Sequence, residues 1–505
     1  MLEAEVVRPA RPIGRRLLAG VAGATAVLLA LDVLRWMLVG PVPLLGPGHL
    51  LPAGADVEAE AALAALCAAV AGIAAGVLRH PLGPPAAAAG LTLAVLLSNL
   101  GPFPTHDTVP ATLLPFTLIR EGRLTFDGSV VDQPLLSISA DTLPYELVRS
   151  GNRLASKYSP AMGVLATPVI LPAALGRFDA RDAAVFHLGK LAAAILTALG
   201  VACIHAASAR LVGQRFAAAS TALYVLGTPV LSVLGQTLWL HTGAALGFSL
   251  AILALTGAAA SPWRTGLLSG VGIGVAVACR PVDGVLAVGF VAALWQVRPR
   301  AVGWMGAAAA IPVLLLALYQ WRIFGSPLAT GYGTEASEGW TTPLWIGVPG
   351  LLISPGRGLL LHSPVLVLSV IALVRAGRAS SPRWFAPLGI ALAAFVCVMG
   401  HWHAWWGGSS AGNRMLSDGL PILGVSMACG LREIWRWRPF RAPMVALAVV
   451  SVATAVALTY GVREPLWVQV MSVGGEDHPR PWAASTHPLV ARYQLLFPGA
   501  GPGDR

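Results

Sequence analysis

The chain has 505 residues, of which 56% are hydrophobic and 11% are charged, and its formal net charge is +11. A soluble globular domain has roughly 25% charged residues, so the composition excludes an ordinary soluble enzyme and predicts a membrane protein. The positive charge does not indicate a nucleic-acid partner, because the arginines mostly flank apolar runs, where positive charge sets membrane topology.

Apolar runs recur along the chain, and about 20 such residues cross the hydrocarbon core of a bilayer. We therefore predict an all-α, polytopic transmembrane protein with about 13 spans. The predicted spans are 17–39, 61–78, 84–102, 183–207, 216–234, 240–260, 265–279, 284–297, 303–320, 363–377, 384–401, 415–430 and 442–460. The short, proline-containing run 161–176 is predicted to be interfacial or re-entrant instead.

Basic short loops mark the cytoplasmic side of a membrane. The arginines of 8–16, 209–215 and 432–441 place the N-terminus in the cytoplasm and leave the large polar connections outside. The chain then divides into N-terminal transmembrane helices (1–102), an extracytoplasmic first loop with interfacial helices (103–182), a transmembrane helical core (183–461) and an extracytoplasmic tail (462–505). High alanine and glycine content, with lysine only at 157 and 190, indicates a GC-rich bacterial genome and hence a bacterial plasma membrane.

Asp107 follows the third predicted span, in "SNLGPFPTHDTVPATLLPFTLIREGRLTFDG" at 98–128. A carboxylate just outside hydrocarbon is partly desolvated, so its pKa can rise and it can accept a proton from an acceptor hydroxyl. The alternative is that Asp107 caps a helix.

Cations further along the predicted outer face could bind a phosphate. Lys157 and Tyr158 begin "KYSP", and Arg153 lies four residues before Lys157. Arg357 lies between two glycines in "SPGRG". The alternatives are snorkelling of the long side chains toward lipid headgroups and, for Arg357, a turn at the beginning of a span.

The run "GVGIGVAVACRPVDG" at 270–284 contains two features at membrane depth. Its glycines predict a close helix contact, because no strand precedes them as a nucleotide motif would require. Arg280 and Asp283 either neutralise each other in a tight turn or contribute to a site, since ionisable residues at this depth are usually paired or functional.

The stretch "HWHAWWGGSSAGNRMLSD" at 401–418 concentrates polar and aromatic residues between two apolar runs. The tryptophans, Trp406 among them, fit an aromatic belt, whereas glycines, Asn413 and Arg414 favour a ligand that approaches the backbone. His401 and His403 lack an acidic or cysteine partner nearby in sequence. We therefore predict no cofactor and no metal site, with a divalent metal kept open as an alternative.

Seven segments of the chain, several of which contain the residues discussed above, follow one another in a characteristic order. They are "HDTVPATLLPFTLIREGRLTFD", "SKYSPAMGVLATPVILPA", "LWLHTGAAL", "CRPVDG", "FGSPLATGY", "SPGRGLLLHSP" and "WHAWWGGSSAGNRMLSDGLPIL". In this order, over roughly residues 90–430, they resemble bacterial multi-pass membrane proteins with the C-type glycosyltransferase (GT-C) fold. That superfamily includes protein O-mannosyltransferases and the aminoarabinose and arabinofuranosyl transferases.

The resemblance implies an inverting transfer of a sugar from a polyprenyl-phosphate donor to a glycan, lipid or protein acceptor at the extracytoplasmic face. Asp107 occupies the place of the family's acidic residue, although many relatives have an acidic pair where this chain has "HD". Binding of the donor phosphate or substrate then falls to residues on the outer face. The candidates are His106, Arg153, Lys157, Tyr158, Arg280, Arg357, His401, His403, Trp406, Asn413 and Arg414.

Two other functions are compatible with the sequence. A transporter or flippase of a lipid-linked or anionic solute would use the same cations, but it would typically show internal repeats and charges at mid-membrane. A non-catalytic membrane scaffold would not require polar residues to gather on one side.

Overall fold

The computed structural model describes most of the chain from residue 83 onward. The described residues are 83–99, 104–128, 143–176, 178–182, 184–257, 261–378, 381–408, 410–460 and 481–491. The predicted spans 17–39 and 61–78, the first-loop residues 129–142 and most of the tail 462–505 lie outside them.

The described chain is mostly helical, as predicted. Its α-helices are α1 Pro84–Leu97, α2 Val109–Glu121, α3 Ala161–Leu175, α4 Val185–Val212, α5 Gln214–Leu226, α6 Leu240–Leu255, α7 Pro262–Cys279, α8 Gly284–Val297, α9 Val302–Phe324, α10 Glu335–Glu338, α11 Leu344–Ile353, α12 Leu359–His362, α13 Val367–Val374, α14 Phe385–His401, α15 Leu420–Trp435 and α16 Arg438–Tyr460. One antiparallel hairpin, β1 Leu147–Ser150 and β2 Arg153–Ser156, interrupts the helical order, with Leu147 opposite Ser156.

Among the described residues, three helices are long and apolar enough to cross a membrane: Val185–Val212, Pro299–Phe324 and Arg438–Tyr460. On the second of these, Leu314 and Leu315 are 65% and 63% exposed, which suits contact with lipid. The remaining apolar helices that the structure describes are 10–17 residues long. Membrane-spanning helices are therefore present, while the count of 13 stays a prediction.

Several predicted spans are shorter or broken in the structure. The span predicted at 216–234 consists of α5, which ends at Leu226, and a separate π-helical turn at Val230–Leu234. Pro229 lies between them. Proline has no backbone N–H group, so a continuous helix would lose a hydrogen bond at this residue. The span predicted at 363–377 consists of a 3-10 turn at Pro364–Leu366 and the eight-residue helix α13.

Helix α2 is buried against neighbouring helices. Its residues from Val109 to Thr117 are all buried, against α3 and α4. At its other end, the Arg120 guanidinium donates to four carbonyl groups at the end of α3 and just beyond it. Both ends of α2 are therefore fixed, and Asp107, two residues before its first residue, is held at a defined place.

The glycines of α7 bring three helices into close contact, as predicted. A Cβ atom built on Gly272 would lie 2.3 Å from the carbonyl oxygen of Gly247 on α6. On the opposite face of α7, a Cβ atom on Gly270 would lie 2.3 Å from the carbonyl oxygen of Met305 on α9. Small residues at these contacts allow the backbones to approach, and the packed helices support residues of the candidate site.

Candidate functional site

A cavity of about 960 Å³ lies between the first loop, helices α6, α7 and α9, and loop 402–416. Part of its lining is apolar and comes from residues such as Phe186, Leu316 and Phe324. Charged and aromatic side chains line the rest. The predicted site residues that line it are His106, Asp107, Lys157, Tyr158, Arg280, Arg357, Trp406 and Arg414.

Asp107 forms the centre of the polar part of this cavity. Its carboxylate accepts hydrogen bonds from the Tyr158 hydroxyl and from the Arg414 guanidinium, with which it also forms an ion pair. The N-cap residue of α2 is Thr108, so the carboxylate is committed to these partners rather than to capping. The guanidinium of Arg414 lies 4.4 Å from the centre of the Trp239 ring, in a cation–π contact.

The expectation that the pKa of Asp107 rises is wrong. Burial raises the pKa of Asp107, but the charge of Arg414 and the hydrogen bonds from Tyr158 and Arg414 outweigh it and hold this pKa below its usual value. Burial and the neighbouring Asp107 carboxylate raise the pKa of Tyr158. Its hydroxyl therefore stays protonated and donates a hydrogen bond to Asp107. Asp107 is therefore an ionised carboxylate at neutral pH.

Lys157 and Glu335 form a second ion pair at the cavity, with Nζ 2.5 Å from Oε2. The Lys157 side chain is 8% exposed, and its ammonium group lies 3.3 Å from the centre of the Tyr145 ring and 5.0 Å from that of Tyr332. The Glu335 carboxylate also contacts the Tyr145 hydroxyl and the His403 imidazole. Burial raises the pKa of Glu335, but the hydrogen bonds from Lys157 and His403 lower it below its usual value.

A buried charge cluster lies beside the cavity. The Arg280 guanidinium forms an ion pair with Asp418, whose other carboxylate oxygen is 2.9 Å from Nδ1 of His241. Arg280 also lies 3.9 Å from the Asp283 carboxylate, so the predicted turn pair exists. The hydrogen-bonded partner of Arg280, however, is the fully buried Asp418.

Arg357 holds the backbone of loop 402–416. Its side chain is buried, and its guanidinium donates to the carbonyl groups of Gly408, Ser410 and Gly412. Gly408 and Gly412 have φ angles of 59° and 115°, in the left-handed region that glycine adopts readily. These glycines thus permit a backbone path in which three carbonyl groups converge on one guanidinium, and that path leads directly to Arg414.

Four predicted site residues lie away from the cavity lining. Arg153 donates to the carbonyl group of Arg322, 3.2 Å away. The His401 imidazole lies 2.7 Å from the Thr342 carbonyl oxygen. Asn413 is buried, and its amide donates to the carbonyl groups of Leu351 and Arg357. The His403 imidazole contacts the Glu335 carboxylate. These residues position the neighbouring loops.

His106 lies at the cavity lining, and its ring is 71% exposed and 3.2 Å from the carboxylate of Glu146. In the part of the chain that the structure describes, no group of three or more histidine, cysteine, aspartate or glutamate side chains could hold a metal ion.

Three residues of the site were not singled out by the sequence: His241, Glu335 and Asp418. His241 is the polar residue of "LWLHTGAAL", and Asp418 ends "HWHAWWGGSSAGNRMLSD", so each lies in a quoted segment. Glu335 lies in a polar connection where nothing in the sequence indicates its contact with Lys157.

Comparison of the sequence with protein-family models and with curated proteins yields no match. Among solved structures, the chain is similar to ArnT from Cupriavidus metallidurans bound to undecaprenyl phosphate, with 14% sequence identity, a TM-score of 0.48, and coverage of 81% of this chain and 75% of that one. The apo state of the same protein gives 14% identity, a TM-score of 0.47 and the same coverage. The Archaeoglobus fulgidus oligosaccharyltransferase in its apo form gives 13% identity and a TM-score of 0.44, over 80% of this chain and 60% of that one.

Proposed function

We propose that the protein is a membrane glycosyltransferase that transfers a sugar, with inversion, from a polyprenyl-phosphate donor to a cell-envelope glycan, lipid or protein acceptor. The observation that carries the proposal is the cavity in which an ionised Asp107 lies beside the cations Lys157, Arg280 and Arg414. The order of the sequence segments that resemble C-type glycosyltransferases supports it.

Transfer from such a donor requires positive charge at the phosphate that leaves. As the acceptor oxygen bonds to the anomeric carbon, the bond from that carbon to the phosphate oxygen breaks and its electron pair stays on the phosphate. Lys157 and Arg414 line the cavity where they can stabilise this charge. The apolar lining around Leu316 and Phe324 suits the polyprenyl chain, and Trp402 offers an aromatic face to the sugar.

Asp107 is the residue that we assign to the acceptor hydroxyl. The hydroxyl becomes more acidic as its oxygen bonds to the anomeric carbon, and its proton passes to the carboxylate. Because its pKa is lowered, Asp107 stays ionised, so its carboxylate can orient the hydroxyl and take its proton as the oxygen bonds to the anomeric carbon. Arg414 and Tyr158 hold the carboxylate in place for this step. The chemistry needs no nucleotide or redox cofactor.

The function is tested in a strain that lacks the gene. We expect one polyprenyl-phosphate sugar to accumulate in the outer leaflet and the same sugar to be missing from the envelope glycans, as measured by mass spectrometry. The wild-type gene should restore the glycan. Accumulation of the donor in the inner leaflet alone would instead indicate a flippase, and unchanged lipid and glycan profiles would contradict the proposal.

The proposal places the cavity on the extracytoplasmic side. Glu338 lies on α10 beside the cavity and Arg438 begins α16, and both side chains are exposed. We expect a membrane-impermeant maleimide to label Glu338→Cys in intact cells and to label Arg438→Cys only after permeabilisation. Labelling of Arg438→Cys alone in intact cells would place the cavity on the cytoplasmic side.

A further inference from the structure

Glu335 joins three separate segments of the chain at the edge of the cavity. Its carboxylate is 2.5 Å from Lys157 Nζ, 3.1 Å from the Tyr145 hydroxyl and 3.1 Å from His403 Nε2. Glu335 itself belongs to α10, in the connection between α9 and α11. The ion pair with Lys157 is more enclosed than an ordinary surface pair, because the two side chains are 8% and 24% exposed.

The surroundings of Lys157 leave few directions from which an anion can reach its ammonium group. The rings of Tyr145 and Tyr332 lie beside it, and the Lys157 side chain is 8% exposed. An ammonium group has three hydrogens to donate. A phosphate oxygen that binds the Lys157 ammonium group therefore lies close to the Glu335 carboxylate, which is bound to the same ammonium group. The two negative charges repel each other.

We propose, on the basis of the function above, that Glu335 is a competing counter-ion for Lys157 that sets how tightly the lipid phosphate binds and promotes release of the polyprenyl-phosphate product. Its carboxylate returns to Lys157 as the phosphate leaves. Glu335 is thus a residue that governs affinity and release through Lys157.

The change of charge during transfer explains why such a competitor is useful. The donor phosphodiester carries one negative charge. The product is a monoester, and a phosphate monoester carries about −1.5 to −2 at pH 7. Cations that bind the donor therefore bind the product more tightly. A carboxylate that takes back the ammonium group offsets this difference, and the lowered pKa of Glu335 keeps it ionised at neutral pH.

The test measures the Kd of undecaprenyl phosphate for the purified full-length protein in nanodiscs. We expect Glu335→Gln to tighten binding about tenfold, because the Lys157 ammonium group then no longer has to give up a charged hydrogen-bond partner to bind the phosphate. The matched control is Glu338→Gln, which removes an exposed carboxylate from the same short helix, and its Kd should equal that of the wild type.

A second pair of variants separates competition from a merely structural role. Lys157→Met should weaken binding, and Glu335→Gln should give no tightening when it is added to Lys157→Met. Where Lys157→Met is not stably produced, Lys157→Arg keeps the cation, and Glu335→Gln should tighten binding in that background.

The outcomes distinguish the inference from the proposed function. If Lys157→Met weakens binding but Glu335→Gln behaves like Glu338→Gln, the counter-ion role is wrong and the phosphate site stands. Tightening that persists in the Lys157→Met background would also overturn the counter-ion role, because it would not act through Lys157. If Lys157→Met leaves the Kd unchanged, the phosphate site itself is wrong, and the inference falls with it.

Discussion

Asp107→Asn is expected to lower the rate of sugar transfer by about 10²–10⁴-fold, which is the typical contribution of a positioned proton acceptor. Asparagine retains the size of the side chain and can still accept a hydrogen bond from Tyr158, but it cannot take the proton of the acceptor hydroxyl. The measurement is release of polyprenyl phosphate by the purified protein, alongside restoration of the envelope glycan in the deletion strain.

The matched control is Asp127→Asn. Asp127 is also an aspartate of the first loop, but its partner is Arg123, four residues earlier in the chain, and both side chains are partly exposed. Such a pair contributes little, so transfer should stay near the wild-type rate. Wild-type transfer by a stably inserted Asp107→Asn protein would show that Asp107 is not the proton acceptor.

The pH profile provides a further check on the same residue. Because the pKa of Asp107 is lowered, the carboxylate stays ionised as pH falls until the pH is below the usual range for aspartate. Transfer should therefore show no loss that depends on Asp107 between about pH 5 and 8. A loss centred near pH 6 in the wild type that moves to a different pH in Asp107→Glu would contradict this.

Asp418→Ala is expected to destabilise the protein by about 3–5 kcal/mol, because removing one partner of a buried ion pair leaves the other charge uncompensated. Arg280 would lose its hydrogen-bonded carboxylate, and His241 would lose its contact at 2.9 Å. The measurement is thermal unfolding of the purified protein in detergent, and less protein in the membrane is also expected.

Two variants complete this comparison. Asp418→Asn keeps a hydrogen-bond acceptor and should destabilise the protein less than alanine does. Asp179→Ala removes an exposed pair with Arg181, in which both side chains are more than half exposed, so it should leave stability nearly unchanged. Equal stability of Asp418→Ala and Asp179→Ala would show that the buried pair does not hold α6, the end of α7 and the turn before α15 together.

The fold was predictable where it depends on local pattern. Apolar runs predicted most of the helices, and the glycines of α7 predicted a close helix contact that the structure contains at Gly270 and Gly272. The π-helical turn after Pro229 and the buried position of α2 were not predictable, because both depend on packing between segments far apart in the chain.

The site was predictable in its residue types but not in its pairings. Asp107 and Arg414 were both candidates, yet 307 residues separate them, and their contact reverses the expected direction of the pKa shift. For Arg357 the sequence left phosphate binding and a turn as alternatives, and it did not indicate that the guanidinium donates to backbone carbonyl groups. Glu335 was missed because the role of a carboxylate depends on its partner, and Lys157 lies 178 residues away.

The anchoring of loop 402–416 on Arg357 has a consequence for how this site tolerates mutation. Every amino acid supplies a carbonyl group, so the contacts of Ser410 with Arg357 depend mainly on the course of the main chain. Between Gly408 and Gly412, the Ala411 side chain is then open to evolutionary drift while Arg414 stays beside Asp107, whereas the Ser410 hydroxyl is held by Arg357 and by the Gly412 carbonyl group. Replacement of either glycine, by contrast, strains the left-handed backbone and displaces the ion pair without touching a charged residue.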